Sequence, residues 1–175
     1  MTTVLVLAER DSSNGTVKKT TLELLTLARR LGEPHVVWFG DQGSEAASVL
    51  GEYGASAVHV VKSQDMANHP VVPMVDVLQA LVAELDATAV LVPSSADGKE
   101  AAGRLAVRIG SGVITDAVDI SESGVATQSV FGGSTVVHST VTHGIGIYTV
   151  RPNSVAPEPA PTTCAAIDVD SIVSE

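Results

Sequence analysis

The chain has 175 residues, of which 45% are apolar, 17% charged and 3% aromatic, and its formal net charge is −10. This length suits one α/β domain with a sizeable core. The acidic excess would repel a phosphate backbone and aromatics for base stacking are scarce, so we expect neither nucleic acid nor an anionic membrane surface as a partner. Cys164 is the only cysteine, which excludes an internal disulfide and favours a reducing, cytoplasmic location.

Four apolar runs alternate with four helical patterns over the first 110 residues. Continuous apolar runs are typical of parallel strands buried on both faces, and apolar spacings of three and four residues indicate one buried helix face. The first run is too short for a signal peptide or a membrane span. This alternation predicts an α/β fold with a three-layer, mostly parallel sheet and helices on both faces. We expect strands at 4–8, 35–39, 57–61 and 89–92, and helices at 24–31, 45–53, 72–85 and 99–109.

The sequence pattern changes after residue 112. Four β-rich segments separated by glycine and serine predict antiparallel or mixed strands that extend the sheet. Three prolines then occur within residues 157–161, which disfavours a central strand and favours a semi-rigid connection. We therefore expect an α/β domain over residues 1–152 and a proline-rich linker or tail over residues 153–175.

The stretch SSADGKEAAGR, residues 94–104, contains a Gly-Lys pair after an apolar run and invites interpretation as a phosphate loop. A Walker A loop needs a second glycine five residues before Gly98 and a hydroxyl residue after Lys99, but Pro93 and Glu100 stand there. Its position before a helix nevertheless favours anions. The sequence favours a capping role for Ser94, Ser95 and Asp97 on a helix that begins near Lys99.

No other set of residues has the spacing of a catalytic or metal site. The carboxylates Asp116 and Asp119 are an odd number of residues apart and should diverge on a straight strand as solvated edge charges or helix-capping partners. Gly110–Ser111–Gly112 follows a helix and is typical of a helix stop. Cys164 has no local histidine. The histidines are expected at the surface or at strand ends, with His138 and His143 on opposite strand faces: His35, His59, His69, His138 and His143.

Four segments in order carry a family resemblance. They are VLVLAERD, ADGKEAAGRLAVRIGSGVITDAVDI, SVFGGSTVV and YTVRPNSV, the last before the proline-rich segment. Together they resemble the N-terminal half of the electron transfer flavoprotein alpha subunit, from Val4 to about Val155.

The resemblance implies a non-catalytic domain of an electron carrier and an architecture like that of adenine-nucleotide α-hydrolases and universal stress proteins. In that family the alpha subunit pairs with a beta subunit, and the FAD of the holoprotein passes electrons from acyl-CoA and other flavin dehydrogenases, as in fatty acid oxidation, to a quinone reductase or similar acceptor. The family's FAD residues lie in a C-terminal domain, which we expect beyond Glu175. The structural AMP of the family belongs to the beta subunit, so no catalytic, cofactor-binding or metal-binding residue is expected in this chain.

Two other functions stay open from the sequence. One is a stand-alone adenine-nucleotide-binding protein with Ser94 to Lys99 at its phosphate end, and the other is an oligomerisation module without a ligand. The role of Arg151 is also open, since it suits a buried ion pair or an interface anchor equally well.

Overall fold

A computed structural model describes residues 2–11, 13–62 and 71–169. His69, one of the five histidines considered above, lies outside these ranges, as do residues 170–175. No helix within the described ranges is both long enough and apolar enough to cross a membrane.

Strands and helices follow one another in the predicted order, with small shifts at their ends. The first half of the chain comprises β1 (Thr3–Leu7), α1 (Lys19–Leu31), β2 (Glu33–Phe39), α2 (Gly43–Glu52), β3 (Ala57–Val61), α3 (Val71–Glu84), β4 (Ala89–Pro93) and α4 (Ala96–Ile109). The second half comprises β5 (Val113–Ile120), β6 (Ala126–Val130), a 3₁₀ turn (Phe131–Gly133), β7 (Thr135–Ser139), β8 (Gly146–Val150) and β9 (Ala165–Val169). The helix α4 begins at Ala96, three residues before the predicted start.

The strands form one sheet in the order β7-β6-β5-β8-β4-β1-β2-β3-β9. All neighbours pair in parallel except β5 with β6 and β6 with β7, which are antiparallel. The predicted α/β class, mostly parallel and extended by antiparallel strands, is confirmed.

Two apolar cores cover the two faces of the sheet. Leu24 of α1 and Leu50 of α2 belong to the first core, whereas Leu78 of α3 and Leu105 of α4 belong to the second. Alternate residues of β1 enter opposite cores, and the four residues Val4 to Leu7 are buried. A continuous apolar run is therefore what this strand requires, because neither of its faces meets water.

The segment after Arg151 forms a strap over α1 and α2 before it joins the sheet. Residues 153–175 were expected to be a linker or tail, but Ala165–Val169 within them form β9, which pairs with β3. Proline has no N–H, so only alternate residues of the Pro157–Pro161 run can donate. The backbone N–H groups of Glu158, Ala160 and Thr162 donate to the Thr26 hydroxyl, the Glu52 carbonyl and the Gly51 carbonyl.

A single face of α1 holds the start of this strap. Glu23 is only 2% exposed, and its carboxylate accepts a 2.9 Å hydrogen bond from the backbone N–H of Asn153. Lys19 lies 3.2 Å from the same carboxylate and donates to the Asn153 side chain at 3.0 Å. Arg29, three turns along the helix, donates to the Glu158 carbonyl at 2.8 Å. The proline-rich segment is thus a docked element of the fold.

His35 and His59 lie side by side on β2 and β3. The Nδ1 atom of His35 is 3.1 Å from Nε2 of His59, and the rings stack with centroids 5.3 Å apart. His59 is buried rather than at the surface, so the expected position is wrong for this residue. Burial, and then the neighbouring His35, lowers the pKa of His59 to about 4. Both effects favour the neutral imidazole in the folded chain.

The carboxylate of Glu23 is expected to stabilise the fold through the strap. Glu23→Gln keeps the shape but removes the charge that faces Lys19 and Asn153. We expect a loss of about 1–3 kcal/mol in the free energy of unfolding, because hydrogen bonds to a buried charged group are the stronger kind. Urea unfolding measures this loss, and proteolysis within residues 153–164 should become faster. Glu84→Gln, on the exposed end of α3, is the control, and equal stability of the two variants would contradict this role.

The buried His59 should make the fold sensitive to acid. In the unfolded chain its pKa is about 6.5, so the contribution is complete above that pH and is lost as the pH falls towards 4. The loss should approach about 3 kcal/mol, at about 1.4 kcal/mol per pKa unit. Urea unfolding between pH 7.5 and pH 4.5 should therefore show a weaker pH dependence for His59→Gln than for the native chain. His143→Gln, at an exposed loop position, should keep the native dependence; an unchanged slope in His59→Gln would refute the assignment.

Candidate functional site

The carboxyl ends of the central strands form the edge where open α/β sheets bind ligands. Between β1 and β4 the chain order reverses, and such a switch point leaves a crevice. A cleft of about 250 Å³ lies there, with Glu9, Arg10, Lys18, Ser95 and Gly98 among its lining residues. Its volume is below the roughly 300–1,000 Å³ of typical small-molecule pockets.

The Gly-Lys pair serves the start of α4. Ser95 is the N-cap, and its hydroxyl accepts a hydrogen bond from the Gly98 N–H at 3.2 Å. A Cβ on residue 98 would lie 2.1 Å from the Pro93 carbonyl oxygen, so close packing against the end of β4 requires glycine here. The capping hypothesis is confirmed for Ser95 and wrong for Ser94, whose side chain faces the sheet.

Ser94 belongs instead to a polar cluster on β4, β5 and β8. Its hydroxyl donates to Oδ1 of Asp116 and lies 3.0 Å from the Thr149 hydroxyl, which in turn accepts from the Asp116 N–H at 2.9 Å. Lys99 Nζ is 3.1 Å from the Asp116 carboxylate. The Ser94 hydroxyl, and to a lesser degree the charges of Lys99 and Arg151, lowers the pKa of Asp116 while partial burial opposes them. A carboxylate stabilised in this way is a weak base, so the cluster does not activate Ser94 as a nucleophile.

A bulge in β5 creates this arrangement. Ile114 pairs with Tyr148 but Ala117 pairs with Val150, so β5 has one extra residue opposite β8. Asp116 lies within the bulge and has φ of +54°, in the left-handed region. Bulges re-aim side chains, and this one directs the Asp116 carboxylate to Ser94 and Lys99.

Asp116 and Asp119 diverge, as the sequence predicted. Asp119 pairs with Arg30 of α1 at 2.7 Å, whereas Asp116 faces Lys99 of α4 on the other side. Both carboxylates are partly exposed and engaged in ion pairs, and β5 lies between β6 and β8, so the expected position at the edge of the sheet is wrong. The two carboxylates therefore do not form an acid–base pair.

The remaining candidates are separate from this edge. Gly110 has φ of +64° and ends α4, which confirms the helix stop. Cys164 is half-buried against the first core, and burial raises the pKa of its thiol. His138 lies on β7, 3.2 Å from the Thr127 hydroxyl, but His143 lies beyond the strand, so the opposite-face interpretation does not apply. Over the described ranges no three histidine, cysteine or acidic side chains are placed to hold a metal ion.

Arg151 stands at the end of β8, beside a second cavity. Its backbone N–H donates to the Ala117 carbonyl at 2.9 Å, and its guanidinium donates to the Ser129 carbonyl at 3.0 Å. In the described part of the chain no carboxylate lies within ion-pair distance of it, so Arg151 is not part of a buried ion pair. The cavity, about 450 Å³, also contacts Asp116, Gln128 and the Phe131–Gly133 turn.

The segment SVFGGSTVV contributes to the family resemblance, but its sequence did not predict a functional role for the hairpin of β6 and β7 that contains it. We call residues 126–139 the arm. Phe131 at its tip is 83% exposed with φ of +52°, and Val136 on β7 is 59% exposed. The strand β7 forms one end of the sheet, and its residues Thr135 to His138 are exposed on both faces. The sequence TVVHS does not alternate apolar and polar residues, which is the pattern typical of a strand with one face in a core. This lack of alternation could have indicated that β7 is exposed on both faces.

Comparisons with known proteins give the family. The family model described as "Electron transfer flavoprotein domain" matches residues 4–171. The chain is 43% identical over 162 residues to the electron transfer flavoprotein subunit alpha of Mycobacterium tuberculosis (strain H37Rv), which covers 91% of this chain and 50% of that protein. The Mycobacterium leprae subunit is 42% identical with the same coverage, and that of Syntrophomonas wolfei is 30% identical over 81% of this chain and 46% of its own length.

The chain spans about half the length of the curated relatives it matches. The resemblance inferred from four short segments is confirmed over nearly the whole sequence, and the sheet with helices on both faces agrees with it. The chain belongs to the electron transfer flavoprotein family and is a domain of the alpha-subunit type.

Proposed function

We propose that this chain is the partner-binding scaffold domain of an electron transfer flavoprotein alpha subunit, and that the arm binds the beta subunit. In the holoprotein, FAD held by residues outside this chain would carry electrons from acyl-CoA and other flavin dehydrogenases to a quinone reductase or similar acceptor. The domain itself catalyses no reaction and works in the cytoplasm. The relatives' name and the exposed apolar arm support this function.

The arm has the properties of a docking element. Neighbouring residues of a strand point to opposite sides, so Val136 and Val137 expose apolar surface on both faces of β7. Thin antiparallel ribbons are marginally stable without a covering layer, and an unpaired edge strand readily pairs with another chain. Phe131 adds a large aromatic side chain of the type that dominates binding energy. A partner bound to the arm would cover the exposed valines, pair with the edge strand and bury the Phe131 ring.

The cleft between β1 and β4 gives less support to a stand-alone nucleotide-binding function. Three groups that could face a phosphate have partners within the chain: the Gly98 N–H has Ser95, Lys99 has Asp116, and Lys18 lies 3.9 Å from Glu9. Arg10 also lines the cleft, and no carboxylate of the described residues lies within ion-pair distance of it. Glu9 adds a negative charge to the cleft lining. These contacts also argue against FAD binding in this cleft.

Substitutions in the arm should separate binding from folding. Phe131→Asn removes the ring, and asparagine tolerates positive φ better than phenylalanine, so the chain should keep its stability. Val136→Thr keeps the shape of the side chain but adds a hydroxyl. We expect each change to weaken the complex with the beta subunit about tenfold or more, measured by titration calorimetry.

Val107→Thr is the matched control for the arm. Val107 is 84% exposed, but it lies on α4. Its replacement should leave beta-subunit affinity within about twofold of the native value. Native affinity in both arm variants would show that the subunit binds elsewhere, and no complex with the native chain would refute the scaffold function.

Nucleotide titration tests the alternative function. We expect no binding heat when AMP or ATP is added to the chain, and no flavin absorbance in the purified chain, because Gly98 and Lys99 already have internal partners. Micromolar binding, about −8 kcal/mol, that is lost in Lys18→Gln would instead support a nucleotide site. Arg104→Gln, at an exposed position of α4, provides the control.

A further inference from the structure

We propose that Arg151 and the cavity at the base of the arm form the anchor point of the interface, where the guanidinium binds one carboxylate side chain of the beta subunit. This inference rests on the proposed function, because it specifies a contact within the same complex. It assigns a role to a residue that the sequence left open between an ion pair within the domain and an interface anchor.

Two hydrogen bonds position the guanidinium at the cavity. The backbone N–H of Arg151 is bound to Ala117, and one side-chain nitrogen is bound to Ser129 on β6. These bonds tie the residue to β5 and β6 and limit its motion. A guanidinium carries five N–H donors, and the structure records one side-chain hydrogen bond for Arg151, so donors remain for a partner.

The charges around the cavity match a single negative charge. Lys99 and Asp116 form an ion pair at 3.1 Å. Arg151 acts on the Asp116 charge over a longer distance, but no carboxylate of the described residues lies within ion-pair range of its guanidinium, so one positive charge remains in excess. A carboxylate carries one charge and fits the planar fork of arginine with two parallel hydrogen bonds. A phosphate dianion would be poorly matched by one arginine beside the Asp116 carboxylate. The cavity therefore favours a carboxylate.

The surroundings of Arg151 favour a protein as the source of that carboxylate. Phe131, 83% exposed, lines the same cavity, whereas the other four aromatic residues of the chain are buried or half-buried. Aromatic residues and arginine are among the residue types enriched at protein interfaces. The cavity is also continuous with the arm, through Gln128 and Ser129 of β6. A partner that covers the arm would thus bring its own side chains to Arg151.

The test uses the complex of the chain with the beta subunit. Arg151→Gln should weaken binding about tenfold to a hundredfold, and Arg151→Lys should recover only part of it, because lysine keeps the charge without the fork. Arg104→Gln removes the same charge from the exposed face of α4 and should leave affinity within about twofold. Raising the salt concentration should weaken the native complex more than the Arg151→Gln complex.

A spectroscopic measurement on the native chain keeps the test independent of folding. The Arg151 Nε–H resonance, assigned by its loss in Arg151→Lys, should shift when the beta subunit is added. Replacing the beta subunit's exposed carboxylates one at a time should identify one whose loss cancels this shift and has no added effect in Arg151→Gln.

Three results would overturn the inference. A complex that forms with native affinity in Arg151→Gln would refute the anchor while leaving the scaffold function intact. If the Arg151 resonance does not shift with the beta subunit but shifts with inorganic phosphate, the ligand of Arg151 is a phosphate and the proposed carboxylate contact is wrong. The absence of any complex with the native chain would refute the proposed function and the anchor together.

Discussion

The hydrogen bonds of the buried Thr149 hydroxyl fix the point at which the sheet changes character. This hydroxyl accepts from the Asp116 N–H and contacts Ser94, so it stabilises the bulge of β5. Without the bulge the strand would continue in simple register with β8, and Asp116 would not face Lys99. Beyond it, β5 pairs with β6 in the antiparallel sense and the arm begins. The cavity beside Arg151 exists because the sheet is redirected here.

The opposite end of the sheet depends on the strap. The strand β9 reaches β3 only because the chain crosses α1 and α2 first, and the buried carboxylate of Glu23 receives it at Asn153. A buried charge is costly unless it is paired and hydrogen-bonded, and Lys19 and the Asn153 N–H supply both. The prolines stiffen the crossing, while the N–H groups between them are each satisfied by a helix residue. A low-complexity segment thus becomes a specific part of the fold.

The sequence was most informative where local chemistry decides the structure. The buried strands, the α1 face around Leu24 and Leu27 and the helix stop at Gly110 follow from periodicity and glycine conformation, and they were predicted. The family followed from ordered motifs, which carry more information than any single one. The sequence predicted the type of sheet but not the contacts that depend on which distant segments pair and in which register. The bulge at Asp116, the contact of His35 with His59 and the strand in residues 165–169 need a partner strand that the sequence does not name.

The same distinction explains why the Gly-Lys pair was considered as a phosphate site and why the arm was not considered as a binding surface. A sequence motif suggests that the Gly-Lys pair is free to bind a ligand. In the fold, the Gly98 N–H donates to the Ser95 hydroxyl and Lys99 forms an ion pair with Asp116. Conversely, Phe131 and Arg151 lie in two of the segments that carry the family resemblance, but neither segment has the pattern of a binding site. The structure leaves the ring in solvent and places no carboxylate of the described residues within ion-pair distance of the guanidinium. Binding capacity is set by the groups that remain unsatisfied after folding. At the arm, the Phe131 ring and the Arg151 guanidinium are such groups, whereas Gly98 and Lys99 at the carboxyl edge of the sheet have partners within the chain.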